Sequence, residues 1–382
     1  MRPSARDTSA AWRRRLTLST RHVGRLRPHR IAAAGVRPHS ARACYIAPAP
    51  MNRNPLNWRR VAASSAWVLV AVVALAAPRV LDTFWTSLLI QILVFGLFAL
   101  SADLLIGHVG LLPMGHAAFF AVGAYATAIL EVRHGQGFVL SVLGGLVAAT
   151  LLAVVFGLAV RTGDVYFILL TLALGNVVWG AAMRWTSFTG GENGVSNVPA
   201  PVIAGFRFQR LDDYYYLVLA TIVACALGYR KLISSPFGLT LRGIRESESR
   251  MRALGYRVGA HKLAAFVLSG ALAGLAGVLY IYWNRFVSPA AAGFLVSAEA
   301  VLMVILGGSG TVLGPFLGAA VIILIRSYGS AYFVAWWMTA MGLVFIATVL
   351  WAPHGLLGVT ERFRRGRRLE MASQLASEET RP

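Results

Sequence analysis

Residues 84–132 read FWTSLLIQILVFGLFALSADLLIGHVGLLPMGHAAFFAVGAYATAILEV, and the only carboxylates in that stretch are Asp103 and Glu131. The first part, 84–106, is apolar for long enough to cross the hydrocarbon core of a bilayer, which takes about 20 residues. A second apolar run, 117–132, is unusually short for a crossing. Gly107, Gly110 and Gly115 lead into it and interrupt the helical pattern. Non-helical backbone is tolerated at membrane depth only where protein or a water-filled cavity surrounds it.

The rest of the chain repeats the apolar theme. Of 382 residues, 57% are hydrophobic and 13% charged, and the mean hydropathy is +0.64. A soluble domain carries roughly 25% charged residues, so this chain calls for lipid as its solvent. Ten spans are expected, at 61–77, 84–106, 117–132, 138–160, 165–183, 214–232, 263–283, 295–306, 312–327 and 332–351. The fold class is therefore all-α, a polytopic transmembrane helix bundle occupying 61–351. The span at 295–306 is also short, and Gly307, Gly308 and Gly310 follow it. Short, glycine-broken segments in matching places of two halves point to a translocation path, although glycines also serve close helix packing alone.

Basic residues set the expected orientation. Arg59 and Arg60, then Arg161, then the loop with Arg242, Arg245, Arg250, Arg252 and Arg257, then the tail from Arg362 to Arg368 all fall on one side if ten spans alternate. That side is the cytoplasm, and both termini lie there. The opposite side keeps the sparser Arg79, Arg133, Arg184, Arg207, Arg210, Arg285 and Arg326. The formal charge of +21 suggests nucleic acid at first sight, but only Lys231 and Lys262 are lysines among 36 basic residues. Residues 1–50 alone hold eleven arginines against one acid, Asp7. Nucleic-acid binding is not expected. The 1–50 extension reads as disordered, either a targeting peptide or sequence upstream of a start at Met51.

Several chemistries are excluded. Cys44 and Cys225 cannot build a disulfide framework or a metal cluster. Neither lysine sits in the Gly-Lys context of a phosphate-binding loop. No catalytic constellation and no cofactor site is apparent, so the chain is not expected to be an enzyme. The loop 234–260 is the most charged insert. After Pro236, apolar residues recur at Leu239, Leu241, Ile244, Met251 and Leu254, and Gly255 is a natural helix stop. One or two amphipathic helices follow from this. They could lie on lipid head groups or present an apolar ridge to another protein. The tail, 361–382, is cytoplasmic.

Several motifs together resemble the branched-chain amino acid ABC transporter permeases, in their LivM type. Gly107 to Tyr125 is similar to the glycine-rich signature of that family. Val165 to Leu174, Thr189-Gly-Gly-Glu-Asn-Gly194, Ser235-Pro-Phe-Gly238 through Gly255, Gly307 to Ala320, and Ala352 to Leu357 follow in the family's order. The resemblance covers roughly 60–360. It implies a bacterial inner-membrane subunit that lets a solute cross by alternating access. The implied partners are a second permease, two ATP-binding subunits that use the ATP, a periplasmic binding protein and lipid. The implied solutes are branched-chain or other hydrophobic amino acids; urea, amides or aromatic acids are the alternative, and an ion-coupled secondary transporter is a further one.

On that footing Gly110, Gly115, His116, Tyr125, Glu299, Gly307 and Gly310 are candidates for the substrate pathway. His116 either touches solute or holds the broken backbone. Glu299 serves the pore or pairs helices, and Asp103 divides between structural pairing and function. Glu131 is read as solvated and Asn176 as interhelical glue. Arg245, Glu246, Glu248, Ala253, Leu254 and Gly255 are candidates for the ATPase contact. Gly190, Gly191, Glu192, Asn193 and Gly194 are candidates for docking the binding protein, or plain turn residues.

Overall fold

Each apolar run between 84 and 327 becomes a helix, because a backbone in lipid must satisfy its own hydrogen bonds. The computed structural model describes residues 75–162, 164–203 and 205–332, with isolated positions between 339 and 356. The extension 1–50, most of the first and last expected spans, and the tail 361–382 lie outside the described residues.

Helix α1 is Thr83–Asp103 and runs on as a wider π-helical turn, Leu104–Val109. Helix α2 is Ala117–Val132, α3 is Phe138–Phe156, and α4 is Asp164–Arg184. A four-residue helix, α5, spans Thr186–Thr189. Then come α6, Leu211–Ser234, and two short helices in the basic loop, α7 at Pro236–Glu246 and α8 at Glu248–Ala253. Helix α9 is Val258–Asn284, α10 is Phe294–Gly307, and α11 is Gly314–Tyr332. Small strands β1, Val195–Ser196, and β4, Phe286–Val287, pair antiparallel and join distant loops, while β2, Val202–Ile203, and β3, Phe206–Arg207, pair antiparallel within one loop.

Helices α1 and α9 form the centre. Buried residues make up 72% of the most apolar window of α1 and its π turn, against 22% in α3, α4 and α6. The peripheral helices are apolar on their outward faces too, as a helix bathed in lipid or covered by a neighbour must be. Close approach at the centre depends on glycine. A Cβ on Gly277 would lie 1.9 Å from the Phe120 carbonyl oxygen, and one on Gly123 would lie 2.4 Å from that of Gly274. Aromatic rings fill the spaces left over, with Phe119 against Phe156 and Phe266.

The two ends of the bundle are distinct. One gathers the π turn, α7, α8 and the turn between α10 and α11. The other gathers the residues after α2, the α5 region and the β1–β4 pair. Alternate threading of the spans requires this division among the described residues.

Three expectations are corrected. Arg326 is not in a loop: it lies within α11, 3.3 Å from Glu299, with its guanidinium 5.2 Å from the centre of the Phe95 ring. An intramembrane arginine needs such partners. Glu131 is half-buried rather than solvated, because the end of α2 packs beside α9. The apolar ridge of the basic loop is split: Leu241 and Ile244 are buried, while Leu239 and Leu254 are 60% and 67% exposed.

Candidate functional site

The glycine-rich break after α1 runs into the bundle interior. Gly110 takes a left-handed conformation, φ 85°, which ends the π turn at no steric cost. The chain then runs non-helically to His116 and starts α2 deep inside the protein. Fixed helices give the depth. His116 Nε2 lies 2.9 Å from the Ser101 hydroxyl and 3.5 Å from that of Ser269. Ser269 is eleven residues into α9, about 16 Å along its axis. The Met114 N–H donates to Thr171 Oγ1 at 3.2 Å, and the Ala117 N–H donates to Ser297 Oγ at 2.9 Å. Side-chain hydroxyls thus satisfy backbone groups that no helix bond reaches. Gly115 permits it, since a Cβ there would sit 1.9 Å from the Thr171 carbonyl oxygen.

Ser297 is the fourth residue of α10, so the N-terminal ends of α2 and α10 meet. The segment before α10 comes from the other end of the bundle, through β4 and the turn Pro289–Ala292, which packs on α2 and α4. Helices of 16 and 14 residues extend only about 24 and 21 Å, less than a full crossing of about 30 Å. Each therefore serves as a half-helix leading away from a common level.

At the π-turn end, four segments converge on Asp103, which is fully buried. Its Oδ1 accepts the Gly310 N–H at 2.7 Å, and its Oδ2 accepts the Tyr229 hydroxyl at 2.9 Å. His108 Nδ1 lies 3.3 Å from that hydroxyl. From α7, the Arg245 guanidinium donates to the Gly107 carbonyl, and its methylenes cover Gly110. Pro236 at the first turn of α7 and the Ser235 hydroxyl bonded to Leu232 O at 2.6 Å set the angle between α6 and α7.

Helix α8 is held differently. Glu248 bonds Arg252 at 2.7 Å and Lys262 of α9 at 2.9 Å. Burial pushes the Glu248 carboxyl up, but the cations of Lys262 and Arg252 outweigh it and hold the group below its ordinary value. Gly255, φ 87°, closes the helix. Outward-facing here are Leu239, Leu254 and Tyr256, together with the exposed Glu246 and Ala253.

At the opposite end, Gly190, Gly191 and Gly194 all take positive φ and form a tight knot. Thr189 ties it to α4 through Ala182 O at 2.6 Å and also bonds Trp185 O, just past the end of α4, at 2.8 Å. The exposed tip is Glu192 and Asn193. Beneath it lies a cavity of about 600 Å³ between α2, α3 and α4, roofed by Phe188 and Thr189 and walled by Tyr125, Ala126, Ala148, Ala181 and Ala292.

The candidate residues therefore fall in separate places. Gly310 lies at the Asp103 junction against Gly107, and Gly110 lies nearby under the methylenes of Arg245. Gly115 and His116 belong to the mid-depth meeting, where His116 is buried against Phe98, ring centres 5.6 Å apart. Gly307 packs on Gly314, Glu299 pairs with Arg326, and Tyr125 lines the cavity. Lys262, Tyr229, Thr171, Ser269 and Ser297 escaped the sequence reading, because their roles depend on partners far away in the chain. Asn176, expected between helices, lies exposed on the outward face of α4, thirteenth of its 21 residues.

Comparison with known proteins follows the same lines. Residues 84–349 match the sequence model of a family described as branched-chain amino acid transport system / permease component. The high-affinity branched-chain amino acid transport system permease protein LivM of Escherichia coli K12 is 29% identical over 77% of this chain and 74% of its own. A probable branched-chain amino acid transport permease protein, LivH of Methanocaldococcus jannaschii, is 27% identical over 58% of this chain and 73% of its own. The autoinducer 2 import system permease protein LsrC of Salmonella paratyphi B is 26% identical over 78% of this chain and 89% of its own. No solved structure matches.

Proposed function

Because the chain belongs to the permease family of branched-chain amino acid transport systems, we propose that it forms one half of the membrane pore of an importer that takes up branched-chain or other hydrophobic amino acids. Partner subunits supply the other half, the ATP hydrolysis and the delivery of solute. The π-turn end with α7 and α8 faces the cytosol, as do both termini, in keeping with the basic residues there. The Gly190–Gly194 knot faces the periplasm and offers Glu192 and Asn193 to a binding protein.

The observation that carries the reading is the two-sided build of α7 and α8. The outward side exposes Leu239, Leu254 and Tyr256 among arginines, an apolar surface suited to a groove on an ATPase. The inward side is bonded into the bundle through Arg245 and through Glu248 to Lys262. A surface helix resting only on lipid would need no such internal bonds. Movement of the pair with the ATPases would shift the spans as rigid bodies. The exposed Asn176 amide supports a solute path or a second permease along α4, since an amide facing hydrocarbon is left unsatisfied.

The test is deletion of residues 240–255 in the chain expressed with its partner subunits. Membrane insertion should persist and ATP-driven leucine uptake should vanish. Normal ATP-driven uptake by the deletion variant would refute the coupling role. Uptake by the intact chain without any ATPase subunit would refute the importer reading.

A further inference from the structure

The Asp103 junction is more than a point where helices touch. A carboxylate with no exposure is stable only if its oxygens find donors. Here each oxygen takes one donor, and the two come from different segments: Gly310 from the turn after α10, and Tyr229 from α6. The segment that carries Asp103 is also held from outside, because Arg245 of α7 donates to the Gly107 carbonyl one helical turn beyond. Gly107 in turn lies directly on Gly310, where a Cβ would come within 2.4 Å of the Gly310 nitrogen.

These bonds form a series. The first joins the outer helix α7 to the π turn. The second joins the π turn, through Asp103, to Gly310. Helix α10 then runs without a break from Gly307 back to Ser297, whose hydroxyl holds the first N–H of α2. We propose that Asp103 is the positioning residue that passes movement of α7 to α10 and so to the level where the two half-helices meet. The inference rests on the importer reading and adds to it one particular route. Lys262 and Glu248 tether α8 to α9 through a separate contact that does not include Asp103.

Neutral substitutions separate a relay from plain packing. Asp103→Asn keeps a carbonyl oxygen to accept the Gly310 N–H, and its amide can donate to the Tyr229 oxygen. Asp103→Ala loses both links. Tyr229→Phe deletes one hydroxyl and leaves the ring in place. Each variant is made in the full complex, purified with its partners and reconstituted, and leucine uptake and ATP hydrolysis are measured side by side.

The expected result for Asp103→Ala is hydrolysis close to that of the unmodified complex, with uptake down about tenfold, the size of an ordinary coupling energy. Tyr229→Phe should show the same split to a smaller extent, and Asp103→Asn should transport almost normally. The proposal is overturned if uptake and hydrolysis fall in proportion, or if uptake is unchanged in Asp103→Ala. Should Asp103→Ala fail to assemble, Tyr229→Phe decides by the same criterion. An unmodified complex without ATP-driven uptake would sink the importer reading itself, and with it this route.

Discussion

The hydroxyl of Ser297 accepts the backbone N–H of Ala117 at 2.9 Å, although 180 positions of sequence separate them. That one bond brings together the starts of two half-helices whose lead-in segments come from opposite ends of the bundle. It also explains how a helix can begin inside a membrane protein: an orphan N–H at the first turn must find a substitute acceptor.

Replacing Ser297 with Ala should leave the Ala117 N–H without that acceptor. A lost buried partner costs about 1–3 kcal/mol. The purified variant should therefore unfold several degrees lower on heating in detergent. An unchanged midpoint would mean that the N–H has found another acceptor.

Two glycines predict opposite outcomes. Gly277→Ala places a methyl 1.9 Å from the Phe120 carbonyl oxygen, whereas nothing lies within 4 Å of a Cβ on Gly180. The first substitution forces α2 and α9 apart and should destabilise by roughly 1–3 kcal/mol, as overpacking does. Gly180→Ala should be neutral or slightly stabilising through helix propensity. Thermal midpoints of the two variants, compared in one detergent, test the contrast.

The pair Glu299–Arg326 lies between α10 and α11 with side chains 13% and 28% exposed. Removing one partner from a mostly buried pair costs about 3–5 kcal/mol. Glu299→Gln should accordingly reduce the amount of folded protein in the membrane, since Arg326 keeps its charge. The double variant Glu299→Gln, Arg326→Met should recover much of it. A double variant as poor as the single one would show that the charges matter beyond their pairing.

The tether between Glu248 and Lys262 should respond to acid. Since the folded state holds the Glu248 carboxyl below its ordinary value, the bond contributes fully above the usual glutamate range and is lost as pH falls through the lowered value. Lys262→Met should thus lower the thermal midpoint at pH 7 and pH 6, and the gap from the unmodified chain should close in stronger acid. A gap that persists there would assign the effect to packing of the Lys262 stem.

Much of the architecture was legible because lipid is an exacting solvent. Eight apolar runs between 84 and 327 gave helices within a few residues of their expected ends. Pro236 and Gly255 marked the basic loop's first helix start and last helix stop. Arg326 was misplaced, since an arginine near the end of an apolar run looks the same whether it faces water or pairs with Glu299. The two sides of α7 were likewise indistinct: Leu239 and Leu241 are equally apolar, but one is exposed and the other buried.

Sequence alone determined that the chain crosses lipid repeatedly, where its helices lie, and that two of them are short. Those properties follow from hydropathy and from the conformational range of glycine, and both are local. Only the tertiary structure decided which groups meet. Asp103 finds Gly310 and Tyr229, Ser297 finds Ala117, and Lys262 finds Glu248, because burial forces each polar group to seek a partner and packing determines which one is within reach.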